Sequence, residues 1–330
     1  YLYGLTGTLN LCDYAPDARN SVELAQGIVT QIVQFDPLTA HAPRGALIAI
    51  LALVFCGFLY KIAAVPFHYW SPDVYEGAPT TATGFFSVVP KAAGFAVLIR
   101  LICKFVPAST AGCLPYPDVE VVIAVIAVLT MTLGNLAALN QSNAKRMLAY
   151  SSIAHAGYML AGLSVLDDGV GPAAVLFYLI VYLVMNLGAF LVLVALENIY
   201  GGTDLKQLRG AVRREPVLVV ALCVFLFSLT GVPPLAGFMG KYLIMWKLAD
   251  KGHYLMIFWI GLNSVISLYY YMKLAKTVAI DAPESALSST ERAPLIYNTL
   301  AVLKSVALLL LFFYFDPVRQ ICLAVLAPLR

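Results

Sequence analysis

Long apolar runs, one after another and separated only by short polar connectors, leave this chain few ways to fold. A helix needs about 20 apolar residues to cross roughly 30 Å of hydrocarbon. Runs of that length lie near 43–66, 80–106, 119–139, 147–166, 172–196, 216–249, 254–277 and 295–315. Backbone polar groups inside lipid must be satisfied within the protein, which restricts the choice to helices or a closed barrel. These runs are too long and too continuously apolar for barrel strands. The 330 residues are 61% apolar and 12% charged, against about 45–50% and about 25% in soluble domains. The predicted fold is all-α: a single polytopic transmembrane helix bundle over residues 1–330, with eight full spans between 43 and 315. Residues 1–12 read as the end of a further helix, 13–42 as an interfacial connector and 316–330 as a tail. Because the opening Tyr1-Leu-Tyr-Gly-Leu reads as a helix already under way, an N-terminal portion is expected ahead of it.

Several function classes fall away. The net charge of +3 is small and sits in connectors, not on one basic face, so the expected surroundings are a lipid bilayer and not nucleic acid. Cys12, Cys56, Cys103, Cys113, Cys223 and Cys322 form no CxxC pair, which argues against zinc and iron–sulfur ligation. The sequence carries no GxGxxG turn, Walker loop, HExxH or nucleophile elbow. No cofactor or metal is expected in this chain. The connectors after the first, third, fifth and seventh spans are the richer in Lys and Arg, which marks that side as cytoplasmic.

Two runs are interrupted. Residues 216–249 are too many for one crossing, and Gly231-Val-Pro-Pro-Leu-Ala-Gly237 stands in their middle. Pro233 and Pro234 lack donors and clash with the preceding turn, so two half-helices with an unwound joint are predicted. Such a joint is tolerated only inside protein or along a wet cavity, where transporters build ion sites. The run at 43–66 ends in Ala64-Val-Pro66; a second break and an ordinary helix end both fit.

Charged groups inside the runs carry the functional argument. Lys91 lies about 16 Å along its helix at 1.5 Å per residue, near mid-membrane. Lys61 precedes the Pro66 break, Lys241 follows Pro234, and Lys304 lies in the last run. Burial disfavours a charged ammonium, and an amine poised toward neutrality can load and release a proton. The competing reading is snorkelling of the amine to the interface, and it is the preferred one for Lys304. The spans carry no central Asp or Glu, so the lysines are either neutral at rest or paired with acids elsewhere. Ser151, His155 and Tyr158 share one helix face at i, i+4 and i+7. That stripe suits a hydrated proton relay, since histidine titrates near neutrality; the alternative is packing glue between helices.

Several stretches together carry a family resemblance. They are Tyr60-Lys-Ile-Ala-Ala-Val-Pro-Phe-His-Tyr-Trp-Ser-Pro-Asp-Val-Tyr-Glu-Gly-Ala-Pro79, Ser87-Val-Val-Pro-Lys91, Gly134-Asn135 through Lys145-Arg146, Ala149-Tyr-Ser-Ser-Ile-Ala-His-Ala-Gly-Tyr-Met159, Asp204-Leu-Lys-Gln-Leu-Arg-Gly210 and Ser228 through Lys241. In this order they resemble the antiporter-like N subunit of proton-translocating NADH:quinone oxidoreductase, respiratory complex I. The resemblance implies a bundle with two broken helices and proton transfer along a buried Lys/His/Glu axis, driven by remote redox chemistry. It matches the family's lysines to Lys61, Lys91 and Lys241, and it puts the glutamate partner of Lys61 outside this chain. It also implies partner subunits carrying FMN, iron–sulfur clusters and quinone. Other antiporter-like and small membrane-arm subunits would be neighbours, and a bacterial inner membrane the location. A multi-subunit Na⁺/H⁺ antiporter shares the helix design and is the alternative. A purely structural subunit, whose polar groups only hold helices together, is a third.

Overall fold

The computed structural model describes residues 44–105, 117–165, 170–283 and 292–327, and every regular element among them is helical. The expected helix end at 1–12 and the connector at 13–42 lie outside the described residues. Helix α1 spans Arg44–Ile62, α2 Trp70–Gly77, α3 Thr80–Phe105, α4 Pro117–Leu139, α5 Ala144–Leu163 and α6 Val170–Tyr200. After a 3₁₀ turn at Ala211–Arg213 come α7 Pro216–Thr230, α8 Ala236–Asp250, α9 Tyr254–Ala279, α10 Leu295–Phe313 and α11 Phe315–Leu326. Among the described residues, five helices are long and apolar enough to cross a membrane alone: α3, α4, α6, α9 and α10. The stretch read as a tail is mostly the helix α11.

Both interruptions are real breaks. Helix α1 stops at Ile62 because Ala63 takes a left-handed φ of 58°, and Val65 stands before Pro66, where α-helical backbone is disfavoured. The amides and carbonyls freed there find partners inside the protein. The Val65 amide donates to Thr130 Oγ1 of α4 at 3.0 Å, and the Trp70 indole donates to the Tyr60 carbonyl at 3.0 Å. At the second break, Gly231 (φ 91°) ends α7, a conformation open to glycine and strained for other residues. Its amide bonds Ser228 O, and the Val232 amide bonds Phe227 O at 3.1 Å, the double closure typical of a glycine-terminated helix. Helix α8 restarts with the Gly237 amide donating to Ser228 Oγ at 3.2 Å. Pro66, Pro233 and Pro234 thus sit in the joints.

Helix α5 occupies the centre. It is buried along nearly its whole length and touches α2, α3, α4, α6, α8 and α9. Close approach to α4 needs glycine: a Cβ on Gly157 would lie 2.5 Å from the Met131 amide nitrogen and 2.9 Å from the Ala127 carbonyl oxygen. The Asn143 side chain caps α5, accepting from the amides of Lys145 (2.9 Å) and Arg146 (3.3 Å).

At that same end the connectors following alternate spans meet. Arg146 pairs with Glu76 at 2.6 Å and Asp73 at 3.1 Å, and Lys145 lies 3.6 Å from Glu197. Asn143 donates to Asp204 at 2.9 Å, the Gly210 amide to Thr277 O at 3.1 Å, and the Ala293 amide to Glu215 at 2.9 Å. One polar plate therefore ties residues 73–78, 141–146, 197–215, 273–281 and Ala293 together.

Candidate functional site: a buried lysine–tyrosine–histidine band

Helix α3 carries Pro90 in its interior, and that proline shapes the surroundings of Lys91. Without a Pro90 amide hydrogen, the carbonyl four residues earlier loses its helical donor. This carbonyl, Phe86 O, instead accepts from the Tyr75 hydroxyl of α2 at 3.3 Å. One turn before Lys91, Ser87 Oγ accepts from Asn186 of α6 at 2.6 Å. Lys91 itself is only 1% exposed, and its Nζ donates to Ser152 Oγ on α5 at 2.6 Å. Its partner is a neutral hydroxyl, not a carboxylate.

From Ser152 the band continues along α5. His155 Nδ1 lies 2.7 Å from the Tyr178 hydroxyl of α6, and its Nε2 lies 3.2 Å from the Tyr271 hydroxyl of α9. Tyr271 also makes a short hydrogen bond with Ser151. The imidazole is thus held between two phenols from different helices, each able to donate or accept. The Tyr182 ring packs 5.2 Å from it, and both Lys91 and Lys241 lie close enough to act on it electrostatically.

Lys241 closes the band. It is 4% exposed; its Nζ donates to the Thr230 carbonyl at 2.8 Å and to Ser264 Oγ of α9 at 3.1 Å. Thr230 ends the half-helix α7, so the ammonium meets carbonyls that the break released, at the negative end of the helix dipole. The amine also stands 4.4 Å over the ring of Tyr158, a cation–π contact. Tyr158 is held from behind: Asn135 of α4 donates to its hydroxyl at 3.0 Å, and Asn135 accepts from Tyr270 at 3.0 Å.

The structure therefore brings Lys91, Ser151, Ser152, His155, Tyr158 and Lys241 into one buried band. Lys61 is not part of it. Its side chain is exposed at the end of α1, with its stem packed beside Gly94 of α3. Among the described residues the Lys61 side chain stays on the surface of the bundle, while Lys91 and Lys241 are enclosed. The band also takes in Tyr178, Tyr182, Tyr270, Tyr271 and Asn135, none of them a candidate site residue from sequence. Their signal was a polar group in the middle of an apolar run, which must find a partner inside the membrane.

These motifs lie within a stretch that matches a known family. Residues 2–267 match the family model described as NADH:quinone oxidoreductase/Mrp antiporter, TM. The chain is 42% identical to NADH-quinone oxidoreductase subunit N of Anaeromyxobacter, over 96% of this chain and 61% of that protein. A chain of respiratory complex I from Thermus thermophilus superposes with a TM-score of 0.70 at 32% identity, covering 96% of this chain and 62% of that one. A chain of the Mrp complex from Dietzia superposes with a TM-score of 0.80 at 22% identity, covering 99% and 64% respectively, a likeness of fold alone. The chain thus spans about 61% of the length of the curated relative it matches. Sequence motifs, broken helices and the buried band all agree: this chain belongs to the NADH:quinone oxidoreductase/Mrp antiporter transmembrane family.

Proposed function

We propose that this chain conducts protons through the membrane arm of an N-type NADH:quinone oxidoreductase. Protons pass between Lys91 and Lys241 by way of the α5 hydroxyls and His155. The observation that carries the reading is the company these two amines keep. Each is buried, each hydrogen-bonds neutral oxygens, and neither has a carboxylate partner among the described residues. An amine so placed breaks no ion pair when it gives up its proton, whereas a lysine locked to a carboxylate is held charged. His155, with a phenol on each ring nitrogen, can take a proton on one side and give one on the other.

Lys61 would exchange with this band from the surface, through an acidic partner on another segment or subunit. The chain would supply no redox centre; FMN, iron–sulfur clusters and quinone would belong to partner subunits, and antiporter-like and small membrane chains would flank it. The plate rich in Lys and Arg would face the cytoplasm of a bacterium. Identity of 42% to subunit N favours this assembly over a Na⁺/H⁺ antiporter, which shares the family model and the fold. The test is Lys91→Ala in the intact NADH-oxidising complex, with proton uptake and release measured in sealed vesicles. Pumping should fall while the complex still assembles. Unchanged pumping per NADH would remove the proposal; purification with no redox subunit at all would move the chain to the antiporter.

A further inference from the structure

Helix α10 poses a problem that the proton band does not use. It packs on α6, α7 and α8 through a narrow face whose buried residues are Ala301 and Leu308. Only 11% of its apolar window is covered by the described residues. Lys304 stands at the midpoint of this 19-residue helix, about 13 Å from either end at 1.5 Å per residue. That is farther than a lysine stem reaches, so the snorkelling expected from sequence has no short route to water. Among the described residues, no hydrogen-bond or ion partner meets its amine. Its neighbours at i−4, i+3 and i+7 are Leu300, Ala307 and Leu311, all exposed or half-buried. Together they form a stripe along one flank of α10, with a small residue beside the amine where another helix can come close. A cation at mid-membrane beside lipid is costly, and the usual remedy is burial against an opposite charge.

We infer that the Leu300–Lys304–Ala307–Leu311 stripe is an interface for a transmembrane helix of another subunit, which presents a carboxylate to Lys304 at mid-membrane. The contact is independent of the proton route, since it lies on a helix that gives no group to the band.

The test uses the complete complex in its native membrane. Dicyclohexylcarbodiimide, which enters lipid and activates buried carboxyls, should join the Lys304 amine to the partner's acid in an amide bond. Mass spectrometry should then show a peptide spanning two chains, absent from Lys304→Met. Lys304→Glu should lower recovery of this chain in the assembly by about tenfold or more, as expected when like charges replace a buried pair, while Lys304→Arg retains it. Lys304→Met separates loss of contact from failure to fold. It makes the span more apolar, so the chain should insert at least as well as the parent and yet leave the assembly. A cross-link to a carboxylate within this chain, no cross-link, or Lys304→Met recovered in the assembly at the parent's level overturns the inference. Proton pumping by complexes that do assemble tests the Lys91–Lys241 route separately.

Discussion

The polar plate and the membrane band both bury lysine, and they do so in opposite ways. In the polar plate, Lys145 is 7% exposed, lies 3.6 Å from Glu197 and donates to the Ala78 carbonyl at 3.2 Å. Beside it Arg146 holds Glu76 and Asp73. In the membrane band, Lys91 and Lys241 are as deeply buried but meet serine hydroxyls, a carbonyl and a tyrosine ring. A carboxylate partner fixes the charge of the cation it faces. Neutral oxygens solvate the ammonium without committing it, so losing the proton strands no opposite charge. The plate ties helices together through ion pairs, and the band holds its amines among neutral groups.

The contrast can be broken most directly by removing one lysine from each region. Lys241→Met should cut proton translocation about tenfold or more, a modest loss beside the ~10²–10⁴ typical of a positioned proton-transfer group. Lys145→Met should instead lower thermal stability and leave translocation per NADH near the parent value. Equal effects on pumping from both would dissolve the distinction.

The next largest effect concerns backbone fit. Gly157→Ala forces a methyl against the Met131 amide and should destabilise the α4–α5 contact by about 1–3 kcal/mol. Thermal unfolding of the purified assembly reads that loss. An unchanged midpoint would mean that α4 and α5 are farther apart than described.

Tyr271→Phe sharpens the picture of the band itself. It keeps the ring and deletes the hydroxyl shared by Ser151 and His155, worth about 0.5–1.5 kcal/mol as a net hydrogen bond. Pumping should slow severalfold with assembly intact, because His155 loses the oriented partner on Nε2. Parent-like pumping would show that Tyr271 lies off the route. The smallest change is expected from Glu76→Gln. Its partner Arg146 is partly exposed and keeps Asp73, so stability should fall by about 0.2–1 kcal/mol, and less at high salt. A thermal melt at two ionic strengths checks it.

Much of this architecture could be read before any coordinates. The apolar runs dictate membrane helices because lipid offers no hydrogen-bond partners to an open backbone. Gly231, Pro233 and Pro234 announce the second break through local stereochemistry alone. For the first break, Pro66 left two readings open, and the left-handed Ala63 with the Thr130 contact decided between them. On α5, helical periodicity placed Ser151, His155 and Tyr158 on one face, and that face is buried. The tyrosines opposite them were harder to see, since phenols in apolar runs pass for packing residues until their partners are known.

Helix class, the sites of breakage and the facing of residues along one helix are local properties, and the sequence alone determined them for this protein. Which helix meets which face is not local. That Tyr178 comes from α6 and Tyr271 from α9 to grip one imidazole, or that Lys61 faces outward while Lys91 faces in, depends on how helices rotate and pack about α5. Those rotations are set by long-range contacts such as the glycine approach at Gly157, and only the tertiary structure decides them.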